Sequence, residues 1–259
     1  MKRIAIVTGA SSGMGADFVR QLASRPDLDE IWAVARRSER LAALAAELRS
    51  PEPDMRAKAR IVPIAADLTK GGAERVRARL ESEAPELRLL VLNAGAGRFA
   101  TFEDSSREDS LGMIDLNIRA LTEMAKDALP YLGTGAGMIL VASLAGLGPM
   151  GNIAVYAATK AYVISFGVAI AEELRSRGIG VTILCPGPVR TEFDRVASKG
   201  RSEGMRGTVP AALVVRRCLR AFHRRRRFAF GHWTWALAPF ALRLLSRRFL
   251  ARSAMRIMR

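Results

Sequence analysis

The chain has 259 residues, 49% hydrophobic and 6% aromatic, which is enough apolar side chain for a sizeable core and too much for a disordered polymer. Two cysteines, Cys185 and Cys218, and two histidines, His223 and His232, exclude a disulfide framework and a cysteine- or histidine-rich metal centre, so no metal site is expected. The 41 basic against 25 acidic residues give a formal charge of +16, which raises nucleic acid as a partner until that charge is located along the chain.

Met1-Lys2-Arg3 precedes an apolar run, Ile4–Val7, too short for the core of a signal peptide, so no targeting segment is expected. That run reads as a first strand. It leads into Thr8-Gly9-Ala10-Ser11-Ser12-Gly13-Met14-Gly15 and then a helical pattern. A glycine-rich turn between strand and helix lets backbone N–H groups approach a pyrophosphate at the helix N-terminus, and Gly15 lets the helix pack closely on the strand. An ordinary tight turn is the alternative, and the strand-turn-helix context favours the phosphate. The spacing Gly-x3-Gly-x-Gly differs from the commoner Gly-x-Gly-x-x-Gly fingerprint.

Further short apolar runs follow at Ile31–Ala35, Arg60–Ala65, Leu89–Leu92, Met138–Ala142 and Gly180–Cys185, separated by helical segments. In one of these, Leu41, Leu44, Ala45 and Leu48 recur with helical spacing. Runs apolar on both faces suit parallel strands covered by helices on each side. The fold class is therefore α/β: a single-domain Rossmann fold, a doubly wound parallel sheet with helices on both faces, over residues 1–231. The polar stretch from Val189 to Thr208, with Gly200, Gly204 and Gly207, reads as a mobile loop that closes over a ligand. Pro210 to Phe222 reads as a helix and Phe228–Gly231 as a last strand.

Tyr156 and Lys160, four residues apart on an expected helix, share one face. A phenol is a poor base near neutrality, with an ordinary pKa of about 10. A neighbouring ammonium stabilises the phenolate and makes the pair a usable acid/base. Such a pair alone also describes an ordinary helix surface, as Ser143 alone describes a strand end and Asn117 alone a cap.

Taken in order, the glycine turn, Asp67-Leu68, Asn93-Ala94-Gly95, Asn117, Ser143, Tyr156, Lys160 and Pro186-Gly187-Pro188-Val189-Arg190-Thr191 resemble the short-chain dehydrogenase/reductase family over roughly residues 3–193. Ala142 stands where many members have another serine, and Leu92 where many have asparagine. The resemblance implies a dinucleotide held by Gly9, Ser11, Ser12, Gly13, Met14 and Gly15 at its pyrophosphate. Asp67, Leu68, Asn93, Ala94 and Gly95 would border the adenosine, and Pro186, Gly187, Val189 and Thr191 the nicotinamide end. It also implies a tetrad: Tyr156 as general acid/base, Ser143 holding the substrate oxygen, Lys160 bonded to the nicotinamide ribose, and Asn117 anchoring a relay water.

An acidic residue after the second strand would favour NAD by accepting from a ribose hydroxyl. Here the sequence reads Ala33-Val34-Ala35-Arg36-Arg37, with no carboxylate before Glu39. Guanidinium forks suit a phosphate, so Arg36 and Arg37 point to NADP(H), the alternative being two solvated helix-start arginines. The expected activity is interconversion of a carbonyl and a secondary alcohol, the cofactor carrying the hydride. Leu144, Leu147 and Met150, after Ser143, would line a pocket for a hydrophobic small molecule. A non-catalytic dinucleotide-binding or scaffold protein is the alternative. The family commonly forms homodimers or homotetramers, and a cytoplasmic, reducing location is expected. Cys185 reads as a buried small apolar residue.

The charge is uneven. From Arg216 to Arg259 there are 13 arginines and no acid, so residues 1–215 carry 28 basic and 25 acidic groups, a net of +3. The end of the chain, 232–259, reads as a basic helical extension: Arg248, Arg252, Arg256 and Arg259 on one face, Leu250, Ala254, Ile257 and Met258 on the other, with Trp233, Trp235 and Phe240 upstream. Such a segment suits the substrate cleft or a neighbouring subunit, or peripheral contact with an anionic membrane. No recognition motif accompanies the arginines, so nucleic acid is not an expected partner.

Overall fold

In the computed structural model, which describes residues 1–49, 59–200 and 207–257, the apolar runs fold as strands of one sheet. Gly204, Met258 and Arg259 of the sequence reading lie outside the described residues. The strands are β1 (Arg3–Thr8), β2 (Glu30–Ala35), β3 (Arg60–Ala65), β4 (Glu86–Leu92), β5 (Leu132–Val141) and β6 (Gly180–Leu184). Val189–Arg190 (β7) and Val209–Pro210 (β8) form a separate parallel pair, and Phe228–Ala229 (β9) completes the main sheet. Its order is β3-β2-β1-β4-β5-β6-β9, parallel throughout. Pro63, which has no N–H to give a second neighbour, is accommodated in β3 at the edge.

Alternating side chains feed two cores. Ile4 and Ile6 pack with Val76 and Leu80 of α3 (Gly72–Glu83), Met124 of α5 (Leu121–Ala128) and Val163 of α6 (Ala154–Glu173). Ala5 and Val7 pack on the other face with Phe18 and Leu22 of α1 (Gly13–Ala23), Leu41 and Leu44 of α2 (Ser38–Glu47) and Cys218 of α8 (Ala211–His223). Each large side chain fully buried in this way contributes roughly 1.5–3 kcal/mol. Helix α4 (Arg107–Ile114) continues into α5 through a π turn, Asp115–Ala120.

The strand order reverses between β1 and β4, which opens a crevice at their carboxyl ends. The glycine turn follows β1 and Asn93 follows β4, so both face that crevice by topology alone. Helix α6 is long and apolar enough to cross a membrane by length and composition, but it carries Tyr156 and Lys160 and packs on the sheet.

Three expectations change. Strand β5 begins at Leu132, not Met138: Leu132 pairs with Leu87, a register shift follows, and Gly137 pairs with Leu89. The exposed Gly133-Thr134-Gly135 between them carries no apolar signal. The described part of the Val189–Thr208 segment is tied down by the β7–β8 pair and by α7 (Phe193–Ala197), with Phe99 N donating to Ala197 O at 2.9 Å. The expected last strand, Phe228–Gly231, spans only Phe228–Ala229.

The extension turns back onto the body as a 3₁₀ turn (Trp233–Leu237), α9 (Ala238–Arg243) and α10 (Arg247–Ile257). Trp235 lies so close to Gly187 and Gly231 that a Cβ there would sit 2.6 and 2.5 Å from its ring. Helix α10 seats on the loop after Ser143: Gly151 N donates to Ala251 O at 3.3 Å and Asn152 Nδ2 to Met255 O at 3.2 Å. Ala254 is buried and Leu250 half-buried on that inner face, as the sequence periodicity anticipates. The extension therefore packs beside the loop expected to line the substrate pocket.

Candidate active site

The glycine turn is built by backbone geometry that side chains would obstruct. Gly9 and Gly13 have φ of +67° and +52°, the left-handed region glycine adopts at least cost. A Cβ on Gly9 would lie 2.8 Å from Asn93 Nδ2, and one on Gly15 would collide with the Gly9 carbonyl. Thr8 fastens the two sides of the crevice. Its Oγ1 donates to Val91 O at 3.3 Å and accepts from Asn93 N and Ala94 N, each at 3.0 Å. Asn93 Nδ2 returns a bond to Thr8 O at 2.9 Å. Thr8 is a positioning residue the sequence reading passed over, because a threonine at a strand end has no signature of its own.

The N-terminus of α1 has no side-chain cap and no acid in its first turn. The Ser12 hydroxyl, which would otherwise cap it, accepts from Arg37 Nη2 at 2.7 Å, and Ser11 Oγ accepts from Arg37 Nε at 3.2 Å. Uncapped helix N–H groups, a turn kept open at Gly9, Gly13 and Gly15 and a guanidinium held by two serines form a site suited to phosphate groups. Arg36 is largely exposed, its Nη1 4.0 Å from Asp67 Oδ2. Asp67 Oδ1 accepts from Thr69 N at 3.0 Å and Thr69 Oγ1 at 2.8 Å. Burial acts to raise the Asp67 carboxyl, but these bonds and Arg36 hold it below its ordinary pKa. Leu68 and Leu92 are buried near it, and Ala94 is half-buried. Arg37 Nη1 and Arg40 Nη1 donate to Glu192 at 3.1 and 2.8 Å, and the two arginines, Arg40 first, lower the Glu192 carboxyl.

Tyr156 and Lys160 lie on α6, buried, beneath the end of β5. Lys160 Nζ donates to Val141 O at 2.9 Å and stands 5.8 Å from the Tyr156 ring centre. Ser143 Oγ accepts from Ala145 N at 3.1 Å, capping the 3₁₀ turn Leu144–Leu147. That turn reaches α6 because Gly146 has no side chain: a Cβ there would sit 2.5 Å from the Lys160 carbonyl carbon. Burial pushes the Tyr156 hydroxyl up to about 12, against a hydrogen bond with Ser143 that lowers it and with Asp194 adding to the rise. Burial pushes Lys160 down to about 8. Desolvation therefore dominates at Tyr156 in the protein alone, and Lys160, whose ammonium is directed to Val141 O, is not among the groups that shift it.

Asn117 sits in the π turn, fully buried. Its Oδ1 accepts from Ala96 N at 2.8 Å, and its Nδ2 donates to Ala96 O at 2.8 Å and Thr159 Oγ1 at 2.9 Å. The side chain is therefore committed to the backbone that follows Asn93-Ala94-Gly95. A Cβ on Gly95 would fall 3.2 Å from both Asn117 Oδ1 and Lys160 Nζ, so this glycine separates the two.

The pocket expectation is met unevenly. Met150 joins the apolar group around Tyr156, with Met113, Ile153, Phe99 and Phe193. Leu147 is half-buried, and Leu144 packs instead against the sheet core that contains Leu140 and Val163. Phe193, which the sequence reading did not single out, lies 5.6 Å from the Tyr156 ring, and a Cβ on Gly97 would come within 2.6 Å of it. Thr191 Oγ1 accepts from Phe193 N at 3.2 Å and the Thr191 methyl lies over Gly13, so one short segment touches both the glycine turn and the tyrosine. Pro186 O accepts from Leu144 N at 2.9 Å, and Val189 is buried in β7. Both cysteines are free and buried, burial raising Cys185 to about 12.

The sequence profile of the short chain dehydrogenase family matches residues 3–202. An uncharacterized oxidoreductase of Myxococcus xanthus is 34% identical over 195 residues, covering 74% of each chain. Another, from Mycobacterium tuberculosis, is 32% identical over 239 residues and 89% of each. The structure of a short-chain dehydrogenase from Sphingobium yanoikuyae in complex with NADPH superposes with a TM-score of 0.80 at 28% identity, over 94% of this chain and 92% of that one. Profile, relatives and fold agree with the geometry around Tyr156 and the glycine turn, and the chain belongs to the short-chain dehydrogenase/reductase family of oxidoreductases.

Proposed function

We propose that this oxidoreductase uses NADP(H) to interconvert a carbonyl and a secondary alcohol, with Tyr156 as the general acid/base. The observation that carries the reading is the joint placement of a buried Tyr156–Ser143 pair above Lys160 and of Arg37, forked onto Ser11 and Ser12, along one crevice. A reduced nicotinamide bound there supplies the hydride. Gly9, Gly13, Met14 and Gly15 would hold the pyrophosphate, Arg36 and Arg37 the 2′-phosphate, and Asp67, Leu68, Asn93, Ala94 and Gly95 the adenosine side. Pro186, Gly187, Val189 and Thr191 would border the nicotinamide end. NADPH in the Sphingobium relative supports this choice of cofactor.

The protein's own contribution is a proton held ready. Burial keeps Tyr156 protonated far above neutrality, so it enters reduction as a donor to the carbonyl oxygen. Ser143, close enough to that hydroxyl to oppose the rise in its pKa, orients the same oxygen. Lys160, positive below about pH 8, stabilises the phenolate left behind. Asn117 fixes the Ala96 backbone and so the floor of the crevice. Phe99, Met150 and Phe193 around Tyr156 favour an apolar substrate. A homodimer or homotetramer, common in the family, accompanies this reading, and sedimentation velocity gives the stoichiometry.

The test is oxidation of NADPH and NADH with a panel of aldehydes, ketones and quinones, with Tyr156→Phe as control. Preference for NADPH and a loss of at least about 100-fold in Tyr156→Phe are expected. Preference for NADH, or turnover indifferent to the substitution, overturns the reading.

A further inference from the structure

We propose that the outer surface of the C-terminal extension, residues 232–257, docks on a bilayer bearing anionic lipid. The inner side of this segment is already used: Trp235 covers Gly187, and Leu250, Ala251 and Ala254 seat α10 on Gly148–Asn152. Its outer side nevertheless keeps large apolar side chains in water. Trp233 is 69% exposed, Phe240 71% and Leu244 88%, and Leu237 and Phe249 are also exposed. An exposed apolar group of this size marks an interaction surface, because isolated soluble chains bury such side chains where they can.

Charge selects the occupant. Arg247, Arg248, Arg252 and Arg256 are exposed among these apolar residues, and the sequence has no carboxylate after Glu203 to neutralise them. A second copy meeting this face about a two-fold axis would set the same arginines against each other. A nucleic acid would satisfy the arginines but leave Phe240 and Leu244 without an apolar partner. A bilayer surface with anionic headgroups satisfies both: guanidinium groups in the headgroup layer, Trp at its boundary, and aliphatic and Phe side chains below. Because α10 rests on the loop after Ser143, docking would bring the substrate side of the crevice to the lipid. The docking itself stands independently of the proposed chemistry.

The experiment is co-sedimentation of the full chain with vesicles of phosphatidylcholine alone and of phosphatidylcholine with phosphatidylglycerol. Two variants accompany it: Trp233→Ser/Phe240→Ser/Leu244→Ser and Arg248→Glu/Arg252→Glu. Circular dichroism and thermal unfolding report the fold of each, and sedimentation velocity its assembly. Parent protein is expected on the anionic vesicles and not on the neutral ones, with each variant at least about tenfold weaker and still folded. Parent protein remaining in the supernatant overturns the proposal. So does an apolar variant that binds as well as the parent, since attraction would then be only electrostatic. A variant that changes the oligomeric state while vesicle binding stays the same assigns the face to a second copy and also overturns it.

Discussion

Arg37, just past the end of β2, and Glu192, just past Thr191, meet across the crevice with Nη1 and Oε2 3.1 Å apart, although 155 residues separate them in the chain. The same guanidinium holds Ser11 and Ser12, and Arg40 Nη1 donates to both oxygens of the carboxylate. One carboxylate thus engages Arg37, one of the two arginines proposed to hold a 2′-phosphate. It also links the dinucleotide side of the crevice to the segment carrying Phe193 over Tyr156.

Removing that competition is expected to strengthen the proposed recognition of a 2′-phosphate. Glu192→Gln is expected to lower KM for NADPH by about two- to fivefold, the range of a solvent-accessible ion pair, and to leave KM for NADH unchanged. Arg37→Ala is expected to raise KM for NADPH by about 10- to 100-fold, the loss of a charged forked contact. Steady-state kinetics with both cofactors check this, and an unchanged NADPH/NADH ratio in Glu192→Gln would remove Glu192 from cofactor selection.

Much of the site was legible in the sequence because its chemistry constrains spacing. Gly9, Gly13 and Gly15 sit where no Cβ is tolerated, and Tyr156 and Lys160 share a helix face whatever surrounds them. What could not be read depends on partners distant in the chain. Nothing local announces that Asp115–Ala120 winds as a π turn, that Thr8 ties β1 to Asn93, or that Glu192 reaches Arg37. Phe193 is one aromatic residue in a polar stretch until Gly97 gives it a place. The periodicity of α10 is the same whether its apolar face meets the body or something else, so only the structure shows Leu250 and Ala254 turned inward.

Lys160 should leave a signature in pH. Its pKa falls from 10.5 to about 8 on folding, so between those values the unfolded chain binds the proton and the folded chain does not. Unfolding free energy therefore rises with pH over that window. Tyr156 moves from 10.0 to about 12 and acts oppositely, reducing stability only above about pH 10. Denaturant unfolding is expected to show a stabilisation of about 1–3 kcal/mol between pH 8 and 10 that Lys160→Met abolishes. For carbonyl reduction, kcat/KM should fall as pH rises through about 8, and Lys160→Arg, which stays charged, should move that limb upward. An unaltered limb in Lys160→Arg assigns it to another group.

Two glycine-to-alanine changes should have opposite signs. At Gly15 the new methyl collides with the Gly9 carbonyl and lies 2.6 Å from Asn93 Nδ2, both fixed by the crevice. Overpacking there is expected to cost about 1–3 kcal/mol and to weaken dinucleotide binding. At Gly112, inside α4, a methyl meets nothing within 4 Å, and the lower entropy of the unfolded chain is expected to stabilise the protein by about 0.5–1 kcal/mol. Equilibrium denaturation of the two variants gives both numbers.

Trp235 makes the extension part of the crevice rather than an appendage. Its ring lies against Gly187 on one side and Gly231 on the other, and it packs with the core beneath α8. Gly187 belongs to the loop whose Pro186 carbonyl holds Leu144, next to Ser143. Trp235→Ala leaves a cavity at that junction. Because the ring is only half-buried, the expected loss is about 2 kcal/mol, below the 3–5 kcal/mol of a fully buried Trp→Ala. The freed loop would no longer hold Ser143 in register with Tyr156, so kcat for reduction should fall while the NADPH/NADH ratio, which we assign to Arg37, should stay constant. A variant that loses stability with kcat unchanged would confine Trp235 to packing. Trp235→Phe, which keeps most of the ring, should restore both.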